Sequence, residues 1–314
     1  AKLSATETGD TLAPKGLPVT VAPIEQPTPV LAIAISAKTQ ADEDKVAGAL
    51  HRIAEEDPAL VVERNDETHQ DLLRGPGETH LNVTIERLKR KFGVEVLTEP
   101  VRVAYRETIT GSAEAEGKHK KQSGGRGQYG VASVRIEPME RGAGYEFVDA
   151  IVGGAIPRNL IPSVDKGIQE TMASGGLRGF PVVDVRATVL DGKFHAVDSD
   201  EMSFKMAGRL AFREAMSAAG PVVLEPVSRV EVTVPADQLG DVMGDLNARR
   251  GRVQGSDSGN DGEAVVVALV PTSEILRYAI DLRSMTGGRG RFAAEHDHYD
   301  VLPDHLVATL PADD

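Results

Sequence analysis

VLAIAI, residues Val30–Ile35, runs into DEDKVAGALHRIAEE, residues Asp42–Glu56, and this change of period decides the fold. The first segment is an apolar run of strand length. The second places Val46, Leu50 and Ile53 on one face of a helix, because residues three and four apart share a side at 3.6 residues per turn. Leu60–Glu63 reads as a second strand and Gln70–Leu73 as a third. Leu81, Ile85, Leu88 and Phe92 mark a second amphipathic helix, and Val94–Leu97 closes the unit. The order β-α-β-β-α-β in about 70 residues predicts a ferredoxin-like sandwich, two helices on one face of a four-stranded antiparallel sheet.

The same order returns near the C-terminus. Val230, Val232 and Val234 alternate with Glu231 and Thr233, and a helix follows with Leu239, Val242, Met243 and Leu246 inward and Gly251 at its end. Strands around Arg252–Ser256 and Glu263–Val270 lead into a second helix with Ile275, Ala279 and Leu282 on its apolar face. Arg289–Tyr299 supplies the last strand. Two copies of one small architecture therefore flank a middle region, with no obvious repeat between their sequences.

The middle region opens with strands that enclose KHKKQSGGRGQYG, Lys118–Gly130, which reads as a projecting hairpin. Lys118, Lys120, Lys121 and Arg126 can each pair with a phosphate. Gly124, Gly125 and Gly127 permit close backbone approach, and Gln122, Ser123 and Gln128 offer groups for ribose or base edges. Taken alone, such a run also fits a solvated loop. A helix is expected from Pro162, with Val164, Ile168 and Met172 inward until Gly175 and Gly176 stop it. Val182–Leu190 reads as a strand, Asp191–Ser199 as a polar loop, and a second helix begins near Asp200 with Ser199 or Asp198 as its N-cap.

The chain of 314 residues has 48 acidic against 35 basic side chains, a net charge of -13, so any nucleic-acid contact is confined to local patches. Cysteine is absent, which excludes disulfides, thiolate catalysis and cysteine-bound metal and fits a reducing compartment. No apolar run reaches the ~18 residues that span a bilayer, and Ala1–Asp10 has no secretory core, so no membrane partner and a cytoplasmic setting are expected. Pro14, Pro18, Pro23, Pro27 and Pro29 precede the first strand, the composition of a linker behind a cut end.

No G-x-x-x-x-G-K-[ST] loop, G-x-S-x-G elbow or H-E-x-x-H helix occurs, so catalysis by this chain is not expected. His296 and His298 share one strand face beside Asp297 and Asp300, but without a third ligand at a defined spacing they read as a polar solvent face, and no metal is expected. His195 lies in GKFHAVDSDE, where helix capping accounts for the nearby acids more simply than acid–base catalysis, and contact with RNA is a third reading. Arg249, Arg250 and Arg252 straddle Gly251 at a helix end; the helix dipole and phosphate binding each account for them.

In order, VAYRETI (Val103–Ile109), EGKHKKQSGGRGQYG (Glu116–Gly130), GYEFVDAIVGGAIP (Gly144–Pro157), GFPVVDV (Gly179–Val185), VDSDEMSFKMAG (Val197–Gly208), GDVMGDLNARRGRVQG (Gly240–Gly255) and YAIDLRSMTGGRG (Tyr278–Gly290) resemble the C-terminal half of bacterial elongation factor G. The resemblance implies an α+β chain in which two ferredoxin-like βαββαβ sandwiches flank a ribosomal-protein-like βαβ domain with a projecting hairpin tip. Residues 1–28 would be the end of domain II and a linker, 29–99 domain III, 100–226 domain IV, 227–302 domain V and 303–314 a tail. It implies a monomer that binds both ribosomal subunits, with the tRNA–mRNA duplex at the decoding site as a partner. Gln122–Gln128, together with His195 in Phe194–Val197, would form the tip, and Arg249, Arg250 and Arg252 would face large-subunit RNA. Tyr129 and Phe194 are read as anchors of these loops in the core, with base stacking the alternative.

GTP and magnesium would belong to the full-length protein, with no cofactor in this chain. The segment usually Gly-Met-Gly-Glu-Leu-His-Leu reads here Gly75, Pro76, Gly77, Glu78, Thr79, His80, Leu81, which points to an elongation factor G-like paralogue. The function implied is promotion of tRNA–mRNA translocation. A paralogue acting in ribosome disassembly and a freestanding RNA-binding or adaptor protein are the alternatives.

Overall fold

The computed structural model describes residues 6, 8–14, 16–17, 19–22, 24, 26–122, 127–259 and 262–310. The chain divides into two compact units, Ala1–Ala104 with Pro226–His298, and Tyr105–Glu225 with Tyr299–Asp314.

In the first unit, β1 (Leu31–Ala37), β2 (Val61–Asn65), β3 (Gln70–Gly75) and β4 (Val96–Glu99) form an antiparallel sheet in the order β2-β3-β1-β4. Two helices, α1 (Glu43–Glu56) and α2 (Glu78–Phe92), bury the stripes that periodicity marks: Val46, Ala49, Leu50 and Ile53 on α1, Leu81, Thr84 and Leu88 on α2. Gly93 ends α2 at φ 67°, a left-handed position that glycine adopts without a Cβ clash, and its N–H donates to the Lys89 carbonyl. Strand boundaries lie one or two residues from those expected, since Leu60 and Val94 are buried just outside the ladder.

The same unit contains the second sandwich. Its strands β10 (Pro221–Pro235, in this unit from Pro226), β11 (Arg252–Ser258), β12 (Glu263–Pro271) and β13 (Arg291–Val301, in this unit to His298) run in the order β11-β12-β10-β13. The first helix, α5 (Leu239–Ala248), forms as expected, but the second is broken into α6 (Thr272–Ile275) and α7 (Tyr278–Met285). The cause is tertiary: Arg249 Nη1 donates to the Glu274 carbonyl at 2.9 Å, the group a continuous helix would pair with the Tyr278 N–H.

In the second unit, β5 (Arg106–Ile109) pairs with the start of β10, while β6 (Ala113–Lys121), β7 (Gln128–Pro138), β8 (Tyr145–Asp149) and β9 (Val185–Lys193) form a sheet ordered β6-β7-β9-β8. The helix α3 (Ile161–Ser174) is the crossover between parallel β8 and β9, and α4 (Glu201–Ala218) packs on β6 and β7. The packing is close enough that a Cβ on Gly117 would lie 2.0 Å from the Ala207 carbonyl oxygen. The core holds Val134, Ile136, Val164, Ile168, Val189, Phe204 and Phe212.

Two expectations for this unit change. Asp191–Lys193 belong to β9 and not to a loop, because Ser133, Ala132 and Val131 extend the ladder to them. The N-cap of α4 is Asp200, whose Oδ1 accepts the Ser203 N–H at 2.8 Å, and not Ser199 or Asp198. The C-terminal residues are packed as well. Leu302 is buried beside Phe180 and Val223, and Leu306, Val307 and Leu310 around α8 (Asp304–Val307) rest on that cluster.

Candidate nucleic-acid interface

The hairpin β6–β7 turns Gly117 and Gly130 towards α4, where a Cβ on Gly130 would lie 2.8 Å from the Ser203 carbonyl oxygen. With a side-chain period of two, Lys118 and Lys120 point to the opposite face, where both are exposed, across from buried Val131 and half-buried Tyr129. The next strand adds Lys193 opposite Val131, so Lys118 and Lys193 flank that valine on one face. Lys193 was not among the residues singled out by sequence, because its cation comes into line only once Asp191–Lys193 is seen to be strand. Gln122 and Lys121 are exposed at the end of β6. Gln128 is committed internally, its Oε1 lying 2.9 Å from His119 Nε2. Ser123, Gly124, Gly125 and Arg126 lie outside the described residues.

The second expected loop meets the first. Asp198 Oδ1 accepts the Gly127 N–H at 3.0 Å, the Asp198 carbonyl accepts the Tyr129 N–H at 2.8 Å, and Ser199 Oγ donates to the Tyr129 carbonyl at 2.7 Å. Ser199 Oγ also accepts the His195 N–H at 2.8 Å, which closes the turn 195–199. The three bonds to Gly127 and Tyr129 join segments about 70 positions apart in sequence, and all four satisfy backbone groups at an exposed end.

His195 stands on this turn with 56% of its side chain exposed. Its Nδ1 faces both the Asp198 N–H, at 3.2 Å, and Asp198 Oδ2, at 3.3 Å. The neutral ring accepts from the amide and the imidazolium donates to the carboxylate; in either state Nε2 carries a proton for an outside acceptor. Phe194 is 48% exposed and Val197 62%, so Phe194 is not the core anchor expected of it. The β9 ladder ends at Lys193, one residue before Phe194, and about half of Phe194 stays open to solvent. Tyr129 is half-buried.

Comparison with known families supplies the context for this tip. Residues 26–100 match the model for elongation factor G domain III, 101–220 that for elongation factor G domain IV, and 222–310 that for the elongation factor G C-terminus. The chain belongs to the elongation factor G family. A crystal structure of a protein from Thermus thermophilus is similar over 95% of this chain, with 41% identity and a TM-score of 0.80. The chain spans 44% of the length of that protein.

The two-loop tip therefore lies in elongation factor G domain IV, and the three arginines lie in the C-terminal domain. Arg249 is largely engaged within the fold: Nε bonds Asp245 at 2.8 Å, Nη2 bonds Asp281 at 2.9 Å, and the guanidinium sits 5.1 Å over the Tyr278 ring. Burial alone would lower its pKa, but the bonds to Asp245 and Asp281 outweigh this and raise it. Burial also raises the Tyr278 hydroxyl, which has no hydrogen-bond partner among the described residues. Arg250 bonds Glu274 at 3.0 Å, and Arg252 is exposed on β11. His298 Nδ1 lies 2.5 Å from Asp297, and among the described residues no three His, Asp or Glu side chains gather as metal ligands. Among the same residues, no helix is long and apolar enough to cross a membrane.

Proposed function

We propose that this chain is the ribosome-facing part of a translational GTPase, and that domain IV carries its two-loop tip to the tRNA–mRNA duplex in the decoding site during translocation. The observation that supports this is the lacing of Gly127 and Tyr129 to Asp198 and Ser199, which makes one preorganised polar end from two loops. Lys118, Lys120 and Lys193 supply charge for phosphates, and His195 Nε2–H and Gln122 supply donors for 2′-hydroxyls or base edges. Shape and backbone recognition of this kind tolerates any codon. The chemistry of such a domain is steric and electrostatic: a rigid body occupies the space that tRNA leaves and opposes its return. The 314 residues hold no phosphate-binding loop; in this reading GTP and magnesium belong to the full-length protein. Arg252, with Arg250 beside it, faces large-subunit RNA in this reading.

The test is association of the chain with ribosomes over a salt series, as wild type and as Lys118→Gln/Lys120→Gln. Binding that weakens with salt, with a slope reduced by about 1–2 in the double variant, is expected. Binding that is absent, or insensitive to salt, refutes the proposal.

A second reading is a paralogue acting in ribosome disassembly, which rests on Pro76 and Thr79 standing where the family usually has methionine and leucine. Thr79 is exposed, so this difference lies on the surface of domain III. Translocation and subunit-dissociation assays on the full-length protein separate the two.

A further inference from the structure

The helix α4 leaves the tip carrying Lys205, Arg209 and Arg213 at every fourth residue. With a rise of 1.5 Å per residue, successive cations stand about 6 Å apart and turn by only about 40°. Phe204, Ala207, Ala211, Phe212 and Ala215 of the same helix are buried, so Arg209 and Arg213, which are exposed, occupy the face turned away from the sheet. Lys205 bridges Glu170 of α3 at 2.6 Å. Exposed Lys166 adds a fourth cation where the helices touch, next to Gly167, whose Cβ would lie 2.1 Å from the Lys205 carbonyl oxygen. Positions three and four residues to either side of Arg209 and Arg213 hold Lys205, Met206, Leu210, Phe212, Met216, Ser217 and the two arginines themselves, so the helix offers them no acidic partner. Neither forms an ion pair among the described residues. Like charges four apart repel, so the fold gains no ion-pair energy from Arg209 and Arg213.

We infer that the stripe is a second phosphate-binding surface, which tracks the sugar–phosphate backbone of an RNA strand running from the tip along the flank of domain IV. Charge complementarity selects the partner: Arg209 and Arg213 lack counter-charges among the described residues on a chain of net charge -13, and a guanidinium fork matches a phosphate. Continuity supports it, since α4 begins directly after the turn that holds His195. The inference rests on the reading of the tip as an RNA contact.

The test titrates the full chain against a fluorescein-labelled RNA hairpin in a salt series. The proteins are wild type, Arg209→Gln/Arg213→Gln, Arg209→Lys/Arg213→Lys and Lys118→Gln/Lys120→Gln. The glutamine pair is expected to weaken binding about three- to tenfold at low salt and to lower the slope of log K against log salt by about 1–2, while the lysine pair keeps the slope. Unchanged affinity and slope in the glutamine pair overturn the inference. If Lys118→Gln/Lys120→Gln binds as wild type while the glutamine pair on α4 is weakened, the tip reading fails and the stripe stands. If the glutamine pair binds RNA normally but loses binding to RNase-treated ribosomal proteins, the surface is a protein contact and the RNA assignment falls. Circular dichroism melts check the fold, and the charge-keeping lysine pair is compared with wild type if the glutamine pair melts early; a changed slope there also overturns the inference.

Discussion

Replacing Asp198 with alanine separates the two loops of the tip at one defined point. The substitution removes the acceptor of the Gly127 N–H, at 3.0 Å, and the carboxylate 3.3 Å from His195 Nδ1, but keeps the backbone bond from the Tyr129 N–H to the residue 198 carbonyl. A hydrogen bond to a charged acceptor contributes about 1.5–3 kcal/mol. The Asp198 side chain is 29% exposed, so water competes for both partners and we discount the loss to about 1–2 kcal/mol. The Gly127 amide should then open on the order of 5- to 30-fold more often, which hydrogen exchange read by NMR resolves. Asn at this position retains an acceptor oxygen and should recover most of the protection. RNA-hairpin affinity should fall in parallel, because ordering the tip becomes part of binding. Wild-type exchange at Gly127 in Asp198→Ala would refute the reasoning, and would mean that Tyr129 and Ser199 alone hold the loops.

The remaining predictions concern the frame that carries the tip. Glu107, 1% exposed, accepts the N–H groups of Leu177 and Arg178, each at 2.9 Å, and of Phe180 at 3.1 Å. In Glu107→Gln an amide NH2 faces at least one of these donors, at a cost of about 2–4 kcal/mol; exchange across residues 175–183 should rise, and unchanged exchange would contradict the assignment. Glu95 is held down to about 2 by the hydrogen bond from Lys38 and then that from Lys89. Its folded pKa lies below the unfolded value of 4.5, so its contribution is present above about pH 4.5 and is lost as pH falls through 2. NMR titration should give a midpoint near 2 that moves up in Lys38→Met, and a midpoint at the ordinary carboxylate value in wild type would deny the bridge.

Both sandwiches were legible because their signal is periodic: Val46, Leu50 and Ile53 for a helix, and Val230, Val232 and Val234 for a strand, need no knowledge of neighbours. The break between α6 and α7 was not legible, since the group that holds the Glu274 carbonyl comes from Arg249, 25 positions earlier. Asp191–Lys193 carries no apolar alternation, and its ladder partners on β7 alone make it strand. Asp198, Ser199 and Asp200 are adjacent and chemically equivalent as caps. What separates them is that the first two are drawn to Gly127 and Tyr129, which leaves Asp200 for the Ser203 N–H. The exposed ring of Phe194 was misread for the same reason, because burial depends on what closes over a residue and not on its hydrophobicity.

By itself the sequence determined the class of fold, the order of the elements, the absence of cysteine chemistry, and Lys118, Lys120 and His195 as the candidate cations and donor. These follow from local period and side-chain type, which travel with each residue. Only the tertiary structure decided that the two loops make one tip, that Lys193 joins its charged face, that Arg249 is engaged within the fold, and that Arg209 and Arg213 line a single exposed face without a counter-charge among the described residues. Those facts concern distance between residues far apart along the chain, and packing sets such distances.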